Sequence, residues 1–260
     1  TVSYGCHEAN APDFMLFDYY IGLDTVPGSD RTVKLPYLRH HLQEVHGGKE
    51  GLDAHALLAS KTGFCNFIYA NRKSHPNRDA MFHKLSAFRF VNSLGPHLNN
   101  TPGDGHRAED WYGSSISMKK PYKFSIAFEN AWYPGYTSEK IVTSMLAGTI
   151  PIYWGNPDIS REFNSASFIN CHDFPTLDDA VAYVKKVDED DSLWCEIMSR
   201  PWKTPEQETR FLEETERETA KLYKIFDQSP EEARRKGDGT WVSYYQRILK
   251  RGHRMHLAWR

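Results

Sequence analysis

The chain has few cysteines, and they are scattered. Four occur in 260 residues, and none of them belongs to a C-x-x-C pair. This spacing argues against a zinc site and against a dense disulfide framework. We expect reduced, mostly buried thiols instead, which favours the cytoplasm. The four positions are Cys6, Cys65, Cys171 and Cys195.

A long apolar run, a leader pattern and a basic excess are also missing. No stretch reaches the run of about 20 apolar residues that a membrane-spanning helix requires. The opening residues, TVSYGCHEAN, contain neither an initiator Met nor a signal-peptide pattern, so we expect the chain to begin inside a domain, as a fragment. The net charge of −2 argues against a general nucleic-acid binder, so any phosphate site must be local.

The common nucleotide-binding fingerprints do not occur. There is no G-x-G-x-x-G turn and no G-x-x-x-x-G-K-S/T loop, so a dinucleotide enzyme or a P-loop phosphotransferase is not supported. The histidines show no metal-ligand spacing, and we predict no metal site. Those interpreted as ordinary core or surface residues are His40, His41, His97, His106 and His172.

The composition is typical of a folded domain. Apolar residues make up 40% of the chain and charged residues 25%, which argues against disorder. Thr176 and Asp179 predict a capping box. We interpret 43–63 as an interdomain crossing or a helical hairpin, 92–113 as a loop, and the acidic run 188–191 as a solvated turn. Strands are predicted at 14–23 and 63–70, and helices at 75–88, 174–187, 205–226 and 241–257.

The most informative stretch runs from 122 to 155. YKFSIAFEN predicts a strand, NAWYPGYTSE a loop, KIVTSMLAG a helix and TIPIYWG a second strand. Such a βαβ unit is right-handed and belongs to a parallel sheet. Ligands bind beyond the carboxyl ends of parallel strands. This predicts a ligand crevice at Glu129, Asn130 and the loop up to Lys140.

The loop suits transfer of a sugar from a nucleotide diphosphate. That reaction needs positive charge at the leaving diphosphate, a base for the acceptor hydroxyl, and groups that orient the nucleotide. Glu139 is a candidate ligand of the ribose hydroxyls, and Lys140 places a cation near the diphosphate. Tyr136 and Asn130 can hydrogen-bond or stack. The alternative is that Glu139 only complements the helix dipole and Lys140 is solvated.

The same stretch resembles the signature of the α1,3/4-fucosyltransferases, glycosyltransferase family 10, especially the bacterial ones. F-E-N, a Tyr, E-K and I-P-I-Y-W-G follow in the family's order, and the similarity extends to FNSASFINCHDF and upstream to FMLFDYYIGLD. Ser138 stands where the family usually has Thr, and either hydroxyl can cap a helix. The resemblance implies an α/β fold of the GT-B type, with two Rossmann-like domains of which the N-terminal one is only partly present.

Roles for individual residues also follow from the resemblance. Arg78 matches a position that contacts the diphosphate, and Glu8 matches the proposed general base. Glu129 is implied to be a structural hydrogen-bond acceptor or an alternative base. The other donor-site residues are Asn130, Tyr136, Glu139 for the ribose and Lys140 for the phosphates. The implied domains are 1–55 for the acceptor, 60–225 for GDP-fucose, and 226–260 as a helix and basic tail.

The implied reaction is inverting transfer of L-fucose from GDP-fucose to an N-acetylglucosamine hydroxyl, α1,3 or α1,4, of a lactosamine-type glycan. It would serve glycan or lipopolysaccharide fucosylation, including protein glycosylation. No tightly bound cofactor is implied. The alternatives are a transferase that uses another nucleotide sugar, and a non-catalytic nucleotide- or glycan-binding remnant. The tail KRGHRMHLAWR is interpreted as a peripheral contact with anionic lipid at the inner face of the membrane, or as a solvated helix end.

Overall fold

The structure, a computed structural model, describes residues 2–5, 17–22, 30–34, 51–102 and 109–235. The chain divides into two compact units, one formed by residues 1–35 with 213–260 and the other by residues 36–212. Several predicted features lie outside the described residues: Cys6, Glu8, His40, His41, His106, the helix at 241–257 and the basic tail.

The first unit contains a small parallel sheet. Its strands β1 (Val2–Gly5), β2 (Tyr19–Gly22) and β3 (Thr32–Lys34) lie side by side in that order. Within the predicted strand 14–23, the structure describes 17–22 and places β2 there. Tyr19 and Val33 are buried and pack with Ile225.

The second unit is built on a five-stranded parallel sheet. Its strands are β4 (Gly63–Phe67), β5 (Val91–Ser93), β6 (Tyr122–Phe128), β7 (Ile150–Trp154) and β8 (Ile169–Asn170), in the spatial order β5-β4-β6-β7-β8. Helices along the chain are α1 (Ala54–Ala59), α2 (Asn77–Ser86), α3 (Trp111–Lys119), α4 (Glu139–Leu146), α5 (Leu177–Glu189), α6 (Asp191–Ser199), α7 (Pro205–Phe226) and α8 (Pro230–Ala233).

The strand order contains a reversal between β4 and β6. β4 continues through α2 to β5 on one side, whereas β6 continues through α4 to β7 on the other. The two strands are hydrogen-bonded neighbours, with Cys65 opposite Phe124 and Asn66 opposite Ser125. Where connections leave in opposite directions, a crevice opens beyond the carboxyl ends of the two strands. This reversal fixes where a ligand site is expected.

The predicted βαβ unit is confirmed as β6, α4 and β7. The helix buries Ile141, Val142 and Met145, which recur at helical spacing against the sheet. Gly148 has a φ of +65° and its N–H donates to the Met145 carbonyl at 3.0 Å. A glycine in this left-handed conformation ends the helix without steric cost. The capping box of Thr176 with Asp179 is also present.

The acidic run 188–191 is solvated only in part, and it lies at the junction of two helices: Glu189, Asp190 and Asp191 are exposed, but Asp188 is not. Asp188 lies within α5 and its carboxylate is fully buried, 2.8 Å from Arg89 Nη1 and 3.3 Å from Lys123 Nζ. Asp190 ends α5 and caps α6. The prediction was wrong for Asp188 because the two cations that pair with it, Arg89 and Lys123, are distant in sequence.

The predicted loop at 92–113 is also interrupted. Its first residues belong to β5, and α3 begins at Trp111, with the Asp110 carboxylate accepting a hydrogen bond from Gly113 N at 3.0 Å. Within 43–63, the described residues contain α1 and the start of β4.

No helix in the described ranges is long and apolar enough to cross a membrane. Cys65, Cys171 and Cys195 are buried and free, as predicted.

Candidate functional site

Arg78 joins the carboxyl ends of β4 and β6. It lies in the first turn of α2, and its side chain is fully buried. Nη1 donates to Asn130 Oδ1, just beyond β6, at 3.2 Å, and Nη2 donates to the carbonyl of Asn71, beyond β4. The guanidinium carbon lies 4.4 Å from the centre of the Tyr69 ring. A guanidinium fixed at this reversal is suited to gripping phosphate oxygens.

Asp79 and His97 support Arg78. Asp79 Oδ1 lies 3.5 Å from Arg78 Nε, and His97 Nε2 lies 2.9 Å from both oxygens of the Asp79 carboxylate. His97 is itself fixed, because its N–H donates to the Tyr69 carbonyl and its carbonyl accepts from Ser93 Oγ. His97 is therefore a core histidine with a partner, as predicted, but one that contacts the candidate site through Asp79.

Glu129 follows β6 directly and is fully buried. Oε1 accepts from Ser138 N at 2.7 Å, and Oε2 accepts from Ser138 Oγ at 2.6 Å and from Lys140 Nζ at 3.1 Å. Burial raises the pKa of Glu129, and the Lys140 ammonium opposes that effect. Of the two roles predicted for Glu129, structural acceptor fits these contacts.

Ser138 does not cap α4 through its hydroxyl. It occupies the N-cap position but makes no side-chain cap hydrogen bond. Its hydroxyl donates to Glu129 instead, and Lys140 Nζ donates to the same hydroxyl oxygen at 2.8 Å. The predicted capping role is wrong because the hydroxyl is turned toward Glu129 and its oxygen accepts from the Lys140 ammonium instead of from a backbone N–H of α4.

Glu139 and Lys140 form the first turn of α4. Each side chain is 18% exposed, and Lys140 Nζ lies 3.9 Å from Glu139 Oε1. Burial alone would lower the pKa of Lys140, but the carboxylates of Glu129 and Glu139 outweigh burial and raise it. Burial alone would raise the pKa of Glu139, but Lys140 and the hydrogen bonds of the helix start lower it. Both groups are therefore charged at neutral pH, at a helix end that attracts anions.

Asn156, just after β7, fixes the loop between β6 and α4. It is fully buried; Oδ1 accepts from Gly135 N at 2.8 Å, and Nδ2 donates to Thr137 Oγ1 at 3.0 Å. Tyr136, between those two residues, is 5% exposed. Asn156 was not predicted as a site residue, although it follows a strand of the βαβ unit just as Asn130 does.

The aromatic residues near the site differ in exposure. Trp132 is 52% exposed, whereas Trp154 is 7% exposed and packs on the ring of His75 at 4.4 Å. On its other flank, Trp154 stacks with His172 at 5.9 Å. Tyr153 is fully buried. Tyr153 and Trp154 therefore pack within the protein at the end of β7.

The predicted site residues that the structure describes lie at the carboxyl edge of the five-stranded sheet. Glu8 lies outside the described residues. In the described ranges, no group of three or more His, Cys, Asp or Glu could hold a metal ion. The residues brought together are Arg78, Glu129, Asn130, Tyr136, Glu139 and Lys140.

Sequence comparison identifies the family. The profile described as "Glycosyltransferase family 10 (fucosyltransferase) C-term" matches residues 58–235. This chain belongs to that family. Over 209 residues it is 31% identical to the α-(1,3)-fucosyltransferase FucT of Helicobacter pylori, which covers 68% of this chain and 42% of that protein. Over 226 residues it is 24% identical to an α-(1,4)-fucosyltransferase of Arabidopsis thaliana, covering 72% of this chain and 55% of that one. This family 10 chain thus spans about half the length of these relatives.

Comparison with solved structures also finds fucosyltransferases. The chain superposes with a TM-score of 0.64 and 29% identity on an α1,3-fucosyltransferase crystallised with GDP-fucose, over 78% of this chain and 67% of that one. A further crystal structure of α1,3-fucosyltransferase gives a TM-score of 0.65 at 28% identity. The predicted fold class is confirmed: the family 10 chain has the parallel α/β architecture of the GT-B type and covers part of it.

Proposed function

We propose that this chain transfers L-fucose from GDP-fucose to a glycan hydroxyl. The observation that carries the proposal is a pair of cations at the reversal of the sheet. Arg78 binds Asn130 and Lys140 binds Glu129, so the two cations reach adjacent residues at the end of β6. A nucleoside diphosphate places its charge where such cations and a helix start meet.

The site supports a division of roles around the donor. Arg78 and Lys140 hold the diphosphate and stabilise the negative charge that develops on the departing GDP. Glu139, ionised beside Lys140, accepts hydrogen bonds from the ribose hydroxyls. Tyr136 and Asn130 line the nucleotide. The buried Glu129 aligns Ser138 and Lys140 rather than meeting the donor.

The acceptor half of the proposal rests on the family. The acceptor oxygen attacks the anomeric carbon of fucose from the face opposite GDP, the bond from that carbon to the β-phosphate oxygen breaks, and the hydroxyl proton passes to Glu8. This displacement inverts the anomeric configuration. By resemblance to the family we assign an N-acetylglucosamine hydroxyl of a lactosamine-type glycan as acceptor, and the names of the relatives above support an α1,3 or α1,4 linkage.

Each part of the chain is proposed to have its own role. Residues 60–225 hold the donor, which agrees with the location of the site residues, and residues 1–55 contribute to the acceptor domain. Residues 226–260 form a helix and a basic tail, and the basic tail docks on anionic lipid at the cytoplasmic face of a membrane, where lipopolysaccharide or protein glycans are fucosylated. Its clustered Lys, Arg and His residues after Ile248 support that contact.

A transfer assay tests the proposal. The chain is incubated with GDP-fucose and N-acetyllactosamine, and the product is identified by mass spectrometry and by the NMR coupling constant of the anomeric proton. An α-linked fucosyl product from the β-linked donor is expected, with none from UDP-galactose or CMP-sialic acid. Transfer from another nucleotide sugar would identify a related transferase instead. Binding of GDP-fucose without any transfer would identify a non-catalytic remnant.

A further inference from the structure

Lys119 is a buried cation that lies against the candidate donor site. It is the last residue of α3 and is 5% exposed. Its ammonium lies 2.6 Å from Thr143 Oγ1, 3.2 Å from Ser144 Oγ and 3.5 Å from the Lys140 carbonyl. All three acceptors belong to α4, so the three N–H bonds of the protonated ammonium have partners on one helix.

Stability of the folded state does not require a positive charge at position 119. No carboxylate is among its hydrogen-bond partners, and a charge buried without a counter-ion in contact destabilises the folded state. The two hydroxyls have other acceptors, because Thr143 Oγ1 reaches the Glu139 carbonyl at 2.9 Å and Ser144 Oγ the Lys140 carbonyl at 2.7 Å. An apolar side chain of similar length would leave neither hydroxyl without a partner.

We propose that Lys119 is a positioning residue of the donor site: as an ammonium it fixes the first turn of α4, which carries Glu139 and Lys140, and it gains a proton when the donor diphosphate binds. This inference rests on the proposed function. Lys119 acts through α4 and does not itself contact the donor.

The pKa of Lys119 depends on the two charged residues in the first turn of α4. The pKa of Lys119 is lowered to about 7: burial is the largest cause and lowers it, Glu139 raises it, and Lys140 lowers it. Within the described ranges, these two residues of the helix against which α3 packs are the charged groups that act on Lys119. A diphosphate bound at Lys140 offsets the repulsion between the two lysines, so the bound state holds the Lys119 proton more tightly. By linkage, GDP-fucose then binds more weakly as pH rises above 7.

Calorimetric titration with GDP-fucose tests the inference. GDP-fucose is the suitable probe because both its phosphates are esterified, whereas the terminal phosphate of GDP itself titrates near pH 6. Titrations at pH 7.5 in two buffers of different ionisation enthalpy give the number of protons taken up. We expect fractional proton uptake by the wild type and an affinity that falls roughly three- to tenfold between pH 6.5 and 8.5.

Two variants and a control complete the test. Lys119→Met is expected to show no proton uptake, a flat pH profile and weaker binding at pH 6.5, with a melting temperature at or above that of the wild type at neutral pH. Lys120→Met, a change at the neighbouring exposed lysine, should behave as the wild type. Should Lys119→Met fail to fold, Lys119→Gln replaces it, because glutamine keeps an N–H donor but has no charge. The same proton uptake, pH profile and affinity are expected for it.

The outcomes separate the two proposals. Equal proton uptake and affinity in the wild type and Lys119→Met would overturn the positioning role and leave the donor site intact. A variant whose stability falls but whose proton uptake persists would also overturn it, because a purely structural lysine predicts that pattern. Absence of GDP-fucose binding by the folded wild type would overturn the proposed function as well.

Discussion

Gly155 lies directly against Glu129. A Cβ built on Gly155 would come within 2.5 Å of both Cβ and Cγ of Glu129, closer than side-chain atoms approach one another in folded proteins. Gly155 also has a φ of +149°, a conformation that residues with a side chain rarely adopt. The glycine in I-P-I-Y-W-G therefore lets the buried carboxylate sit at the end of β6, where it holds Ser138 and Lys140.

Gly155→Ala is expected to destabilise the fold and weaken donor binding. Strain at this φ and the clash with Glu129 together should lower the free energy of unfolding by about 3 kcal/mol. Urea denaturation measures the loss. Gly51→Ala is the control: Gly51 has a φ of +74° but nothing within 4 Å of its added Cβ, so about 1 kcal/mol is expected. Equal losses at the two positions would contradict the steric account.

Arg78→Lys separates charge from geometry. A lysine keeps the positive charge but cannot donate to Asn130 and Asn71 from two nitrogens while stacking on Tyr69. We expect GDP-fucose affinity to fall at least about tenfold, since hydrogen bonds to a charged group are worth about 1.5–3 kcal/mol each. Arg200→Lys, in an exposed pair with Glu196, should have no effect on affinity. Unchanged donor affinity in Arg78→Lys would show that donor binding does not need the bridge that the guanidinium makes between Asn130 and Asn71.

Asp79→Asn tests whether the contact with His97 orients Arg78. The change removes the charge that lies between the imidazole and the guanidinium, so Arg78 should be less well fixed. We expect KM for GDP-fucose to rise about three- to tenfold, with kcat changed less, because Asp79 lies behind the donor site. Asp178→Asn, which breaks the exposed pair with Lys84, should leave both constants as they are. A fall in kcat with constant KM would point to a different role.

Asp188→Asn is expected to affect stability and not the donor site. It leaves Arg89 and Lys123 without their buried carboxylate, but the Arg89 side chain is 52% exposed and Lys123 also reaches Asp191, so the loss is expected to be about 1–3 kcal/mol. Thermal unfolding should show the loss, while the affinity of the remaining folded protein for GDP-fucose stays at the wild-type value. Reduced affinity in the folded fraction would connect this ion pair to the site.

The sequence predicts the centre of the site because the relevant signals there are local. Apolar spacing indicates β6, α4 and β7, and the topology rule then places Glu129, Asn130 and Lys140 at one edge of the sheet. Arg78 joins them only through the resemblance to the family, since nothing in its own segment indicates that it bridges β4 and β6.

The features that the sequence did not predict depend on contacts between residues distant in sequence. Asp188 occupies an acidic run that looks solvated, and its cations lie far away in sequence. Ser138 has a capping residue's position but donates to Glu129, nine residues earlier. Lys119 ends a polar helix, α3, whose short, Gly- and Ser-containing sequence gives little periodic signal, so neither the helix nor its buried ammonium was predicted.

Calorimetric titration of GDP-fucose into Glu139→Ala tests the central claim most directly. Glu206→Ala is the matched control, because Glu206 also lies in the first turn of a helix but on an exposed surface. If Glu139 binds the donor ribose, Glu139→Ala loses at least about tenfold in affinity while Glu206→Ala binds as the wild type does. If both variants, confirmed as folded by circular dichroism, bind GDP-fucose equally well, Glu139 only complements its helix dipole and the proposed donor site is wrong.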